Sequence, residues 1–317
     1  MLTAVLSLTG ALVYGAADFL GGLAAKRVSA VLVTAIAAVA GLTVMLLALP
    51  VLGGDWSAAD LAWGALSGLV GAAAIALLYA SLAIGPMSIL SPLTALMSAV
   101  TPMLWGTLVG AERFGPIGVW GLGLALVAVV LVGFVPERGA VRPSAKGVLL
   151  AVGSGLAIGA YYIVISHTAD ESGVVPLVAN RVVAASVLFL AVGVLALSAR
   201  PRAARMPAAV ATAGPGQATD AAGPDGRVPH GGRAGRRALP STALGLALAC
   251  GVLDAVANIL LLLGIRAGDL AVAAVLGAMY PAGTVILAAI VLRERIAPVQ
   301  WGGLVLALAA AGMLALS

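Results

Sequence analysis

Only a few charged side chains stand inside the long apolar stretches of this sequence, and any chemistry has to be sought among them. Asp254 lies near the middle of an apolar run over 241–264, and Asn258, four residues on, shares its helix face. An ionisable group at membrane depth costs several kcal/mol to insert, which makes each one a functional candidate. Asp254 with Asn258 is therefore either a substrate or proton site, or a structural hydrogen-bonding group that ties helices together. Arg181 enters its own run by about seven residues, or ~10 Å at 1.5 Å per residue, which places it close to the height of Asp254. It either pairs with Asp254, so that an anionic substrate group competes for the guanidinium, or extends its long stem to the outer interface. Asp18 sits about one turn from the end of the first run, where Lys26 and Arg27 follow. Interfacial pairing and a proton relay are the two uses open to it.

Aromatic side chains supply the rest of a possible cavity wall. Tyr14, Tyr161, Tyr162, Trp105 and Tyr280 each offer an apolar ring, and the tyrosines add a polar tip. Tyr280 stands out because Pro281 follows it, and a proline inside a helix frees a carbonyl and can open a kink. Pro92 and Pro102 have the same potential in an earlier run. The candidate substrate-binding or coupling set is thus Asp254, Asn258, Arg181, Tyr280, Asp18, Tyr14 and Tyr162. Glu112 and Glu294 precede the turns at Pro116 and Pro298 and are read as partners of Arg113 and Arg295 that hold those turns.

Other chemistries lack their residues. The histidines are His167 and His230, and no His-Glu-x-x-His pattern occurs. Ser166 and His167 are neighbours on a helix, pointing about 100° apart, so adjacency does not make them a dyad. The single cysteine, Cys250, excludes a disulfide framework and a thiolate cluster. No Gly-rich loop ending in Gly-Lys-Ser/Thr is present, so any driving force is expected to come from gradients or a partner. No cofactor or metal is expected. An intramembrane enzyme and a channel, which wants a continuous polar ring, are the weaker alternatives, and a non-transporting membrane scaffold is the third.

The elements that must position these residues follow from composition. Of 317 residues, 62% are hydrophobic and 9% charged, whereas a soluble domain carries about 25% charge. A span needs about 20 apolar residues, and such runs occur near 2–23, 30–52, 60–83, 88–110, 116–135, 147–166, 174–198, 241–264, 270–292 and 298–316. The expected fold is an all-α integral membrane protein with ten transmembrane helices. The first run has no basic segment before it and reads as a span rather than a removable signal. Trp56, Trp63, Trp120 and Trp301 fall near span ends, as belt anchors do. Residues 199–240 hold seven arginines and hardly a large apolar side chain, which predicts a disordered basic surface loop. It lacks stacking aromatics, so nucleic acid is not an expected partner; a small-molecule substrate and the lipid bilayer are.

Charge sets the expected orientation. With ten spans, fourteen Lys and Arg residues collect on the face of the 1–2, 5–6, 7–8 and 9–10 loops, and only Arg113 and Arg266 on the other. Basic residues resist translocation, so the fourteen-residue face is expected in the cytoplasm and both termini outside a cytoplasmic membrane.

A shift of 182 residues lays Glu112–Ala128 on Glu294–Ala310 with nine of seventeen positions identical, including Glu-Arg, Pro and Gly at the same spacing. The chain then divides into a first five-helix repeat over 1–136, a short basic linker over 137–146, and a second five-helix repeat over 147–317 interrupted by the 199–240 loop. An odd number of spans per copy turns the second copy upside down, and two inverted five-helix repeats are typical of secondary transporters.

Several passages resemble the EamA-type transporters of the drug/metabolite transporter superfamily. They are Tyr14-Gly-Ala-Ala-Asp18-Phe-Leu-Gly-Gly, Gly85-Pro-Met-Ser-Ile-Leu-Ser-Pro92, Gly173-Val-Val-Pro-Leu-Val-Ala-Asn-Arg181, and Met279-Tyr280-Pro281-Ala-Gly-Thr284 followed by Arg293-Glu294-Arg295. Together they reach across nearly the whole chain apart from 199–240. The resemblance implies ten spans and transport of small metabolites or drugs, commonly export, with cytoplasmic termini. That last implication opposes the charge count.

Overall fold

The structure is a computed structural model that describes residues 1–28, 30–82, 84, 87–133, 143–203, 241–293 and 295–316. The Gly85-Pro86 turn, Arg138, Arg142, most of the basic linker, nearly all of the 199–240 loop, and Glu294 lie outside the described residues. The helices are α1 (Leu2–Ala25), α2 (Ala30–Leu52), α3 (Ala58–Leu82), α4 (Met87–Leu108), α5 (Pro116–Gly133), α6 (Ala145–Ser166), α7 (Val175–Ala203), α8 (Ser241–Arg266), α9 (Leu270–Gly277), α10 (Tyr280–Val291) and α11 (Pro298–Leu316). Among the described residues, nine helical segments are long and apolar enough to cross a membrane, with α9 and α10 counted as one, and Val175–Ala191 of α7 is a tenth, shorter one.

Local chemistry explains the ends. Pro116 and Pro298 occupy the first positions of α5 and α11, where a missing N–H costs nothing. The Ser144 hydroxyl caps α6 by accepting the Gly147 N–H at 3.1 Å. The ninth span is broken where Pro281 predicts a disturbance. Pro281 has no N–H to give the Gly277 carbonyl, so α9 ends there and α10 restarts at Tyr280.

Side chains are sorted by size, with bulk outside. Leu47, Val51, Leu108, Trp120 and Leu308 are largely exposed, whereas Ala11, Ala95, Ala99, Ala125, Ala128 and Ala310 are fully buried. A soluble core reverses this order. In lipid, large apolar side chains face the acyl tails and small ones let helices approach. Gly251 of α8 is one such place, since a Cβ there would run into the Ala37 backbone of α2; Gly15 of α1 is another, against the α10 backbone at Tyr280, Gly283 and Thr284. Helix α1 lies along α8, α3 along α6 and α5 along α11, with α4 against α6 and α9, α2 against α8, α3 against α7, and α1 against α10. All eight residues of α9 are buried at the centre.

We call the face where α1 begins the near face. Its loops are tied together by polar bonds. Asp60, buried at the start of α3, accepts the Ala169 N–H at 2.8 Å, and the Asp55 N–H donates to the Glu171 carbonyl at 2.8 Å. From the end of α8 the Arg266 guanidinium donates to the carbonyls of Gly173 (2.7 Å) and Ala169 (2.9 Å) and to the Ser172 hydroxyl (3.0 Å).

Glu112 departs from the sequence expectation. Its carboxylate accepts the N–H groups of Leu270 at 2.8 Å and Ala271 at 3.1 Å, capping α9 from a loop more than 150 residues away in sequence. The reason is that the first N–H groups of α9 are buried and have no intrahelical acceptor, so they draw the carboxylate away from Arg113. Trp63 also differs from a belt residue. It is half-buried and stacks on His167 with ring centroids 4.9 Å apart, and Trp105 joins them at the near face rather than lining a central space.

Candidate functional site

Asp254 stands midway along α8, and its helix turn presents Asn258 on the same face. The Asn258 amide donates to the Asp254 carbonyl at 2.8 Å and reaches the Asp254 carboxylate at 3.4 Å. From α6, the Tyr161 hydroxyl donates to the Asn258 side-chain oxygen at 3.0 Å. From α7, Arg181 forms an ion pair with Asp254. The guanidinium therefore turns inward instead of reaching for the interface. Gly41 of α2 lies alongside: a Cβ there would make ordinary contact with the Arg181 Cζ at 3.6 Å and would press on the Gly251 carbonyl of α8 at 3.1 Å. Both side chains keep some access, 18% for Arg181 and 29% for Asp254, and the buried Arg181 Nε has no hydrogen-bond partner among the described residues. A chain Tyr161–Asn258–Asp254–Arg181 thus links α6, α8 and α7.

Helix α1 closes the other side. At about 100° per residue, Asp18 lies between the α1 face that meets α8, marked by Gly10 and Gly21, and the face at Gly15 that meets α10. Gly21 lies beside the Cys250 sulfur, one turn from Asp254, so Asp18 and Asp254 occupy nearly one level. Asp18 is exposed and makes no ion pair among the described residues, with Lys26 and Arg27 or with any other group. The interfacial pairing expected for it does not form, because Asp18 points between helices while the two basic residues lie beyond the helix end.

The tyrosines gather at the same depth. Tyr14 is half-buried one turn from Asp18, and Tyr280 begins α10 at the break beside Gly15, where the Thr284 hydroxyl donates to the Gly15 carbonyl at 3.1 Å. Tyr162 is buried and meets Tyr161 edge to face at 5.4 Å. Tyr161 makes the polar contact with Asn258, although the sequence favoured its neighbour; one residue of helical rotation, about 100°, separates the two and no local signal sets the phase. Thr284 and Cys250 also stand at this level; both are uncharged, and the sequence carries no signal that marks them as site residues. Among the described residues, no group of three or more His, Cys, Asp or Glu side chains comes together to hold a metal ion. A groove of about 290 Å³ lined by Leu52, Val174, Ile259, Leu262 and Arg266 lies toward the near face, away from the ion pair.

The fold and this site define a class: a multi-pass helical membrane protein with a polar cluster enclosed among its spans. Residues 229–316 match the EamA-like transporter family, part of the drug/metabolite transporter superfamily, in agreement with the resemblance drawn from the sequence. A solved structure described only as the crystal structure of a protein is similar to this chain with a TM-score of 0.62 and 18% identity, over 99% of this chain and 96% of that one. Identity that low speaks to the fold alone. No curated protein matches the chain.

Proposed function

We propose that this protein is a secondary transporter that carries a small metabolite or drug across the cytoplasmic membrane by alternating access, in the direction of export. One observation carries the reading: at half depth, an Arg181–Asp254 ion pair with the Asn258–Tyr161 relay behind it faces Asp18, a carboxyl group with no ion pair among the described residues, across the gap beside α1. A scaffold gains nothing from three ionisable groups at a depth where each is costly. A binding site does, because a solute can compete for groups held only partly out of solvent.

The helix pairings support two inverted repeats. Exchanging each span for the one five places away turns α1 on α8 into α6 on α3, turns α2 on α8 into α7 on α3, and leaves α5 on α11 unchanged. Two halves so related can rock about a central site. On this reading Arg181, Asp254, Asn258, Tyr14, Tyr162, Tyr280 and Asp18 are the binding and coupling residues, and a proton exchanged at Asp254 is the candidate driving ion. The face bearing fourteen basic residues is placed in the cytoplasm on charge grounds, with both termini outside; the resemblance argues for the opposite orientation.

Reconstitution into proteoliposomes tests this. Uptake and counterflow of amino acids, their metabolites and small drugs are expected with the wild type and lost in Asp254→Asn, which still inserts. Unchanged rates and unchanged pH dependence in the variant would remove Asp254 from the site.

A further inference from the structure

We propose, building on the transport reading, that the cargo is a small organic amine carrying one positive charge, and that Asp18 receives its ammonium. The charge inventory at this level argues for it. Asp18 and Asp254 supply two carboxyl groups and Arg181 one guanidinium, and Arg181 is already engaged by Asp254. Among the described residues Asp18 is thus a carboxyl group without a counter-charge, at a depth where an unmatched charge is costly, so a cation arriving beside it is favoured.

Placement makes Asp18 the receiving group. It opens into the gap between α8 and α10, and the titratable groups within its electrostatic reach are Asp254 and Cys250 on α8 and Tyr280 on α10. Among the described residues no cation fills that gap: Arg181 stays with Asp254, and Lys26 and Arg27 lie past the end of α1. Rings flank it, Tyr14 one turn away on the same helix and Tyr280 across the gap. A carboxylate beside aromatic faces is the chemistry that holds an ammonium, by charge-assisted hydrogen bonds and by attraction to the ring quadrupole. An anion entering the same space meets two carboxylates and must break the Arg181–Asp254 pair to find a partner. A zwitterion gains at Asp18 but needs the same rupture for its carboxylate.

The test uses three compounds that share one ring and differ in charge: phenethylamine, phenylalanine and 3-phenylpropionate. Wild-type protein in proteoliposomes is expected to move phenethylamine at least about tenfold faster than 3-phenylpropionate, the effect of one charge-assisted contact. Asp18→Asn is expected to lose that preference, and Asp18→Glu to keep most of it. In detergent, phenethylamine should raise the melting temperature of the wild type and of Asp18→Glu but not of Asp18→Asn, which separates lost binding from lost folding. Preferred movement of phenylalanine or 3-phenylpropionate, unaffected by Asp18→Asn, overturns the amine assignment and leaves the transport reading standing. Retained phenethylamine stabilisation in Asp18→Asn overturns it equally. Movement of none of the three, with no thermal shift, counts against both.

Discussion

Removing the Glu112 carboxylate should loosen the start of α9, and the cost can be worked out from its bonds. The side chain accepts two N–H groups, from Leu270 and Ala271, at 2.8 and 3.1 Å. In Glu112→Ala those two donors lose their acceptor; a buried unsatisfied group costs about 1–3 kcal/mol, and loss of an N-terminal cap about 1 kcal/mol. Part of that is recovered where water reaches the loop, so roughly 2–4 kcal/mol is expected in all. Glu112→Gln keeps one acceptor oxygen and should cost about 1 kcal/mol. The pH response follows from the environment. Burial pushes the Glu112 carboxyl upward, its bonds to Ala271 and Leu270 pull it down, the nearby Asp269 pushes it up again, and the net shift is upward. A carboxyl raised in the folded state contributes stability that is full below its unfolded value and fades as pH climbs through the raised one. Wild type should therefore lose some stability across that window above the ordinary carboxylate range, and Glu112→Gln should not. The assay is thermal unfolding in detergent as a function of pH, with hydrogen exchange at the 270–271 amides. Wild-type stability in Glu112→Ala, with those amides no faster to exchange, would refute the capping account. An equal loss in Arg113→Ala would restore the local-turn reading.

Three further outcomes are expected. Arg266→Ala strips the donors from Gly173, Ala169 and Ser172 and should cost roughly 2–4 kcal/mol, read as a lower melting temperature and faster proteolysis within 167–174; Lys at this position should recover only part, because a single ammonium cannot reproduce the planar fork. In a double-mutant cycle, Arg181→Gln with Asp254→Asn should be less destabilised than the sum of the single changes by about 0.5–3 kcal/mol, while additive values would mean that the pair does not couple. Finally, with Cys250 replaced by Ala, a cysteine at Arg27 should resist a membrane-impermeant thiol reagent added to intact cells; ready labelling from outside would reverse the orientation drawn from charge.

Much of the scaffold was legible because its code is short-range. Apolar runs of about 20 residues, punctuated by Gly53-Gly54, Pro116 and Pro298, marked nearly every helix to within a few residues. Pro281 announced the break in the ninth span, since a missing N–H is a property of one residue. The depths of Asp254 and Arg181 could be counted along their spans, which is why their pairing could be entertained. Rotation could not be counted. Tyr161 and Tyr162 are equivalent in type and adjacent in order, and only packing between α6 and α8 selects the one that meets Asn258.

By itself the sequence determined that this is an all-helical membrane protein, where its helices begin and end, and which few ionisable groups stand inside it, because these depend on hydropathy, backbone chemistry and counting along one chain. Tertiary structure alone decided where the polar groups go: Glu112 to α9 instead of Arg113, Arg266 to the carbonyls of 169 and 173, and Asp18 to an open gap instead of Lys26. Each is set by a partner that is distant in sequence and that lipid forbids to remain unpaired when buried, a condition no local pattern records.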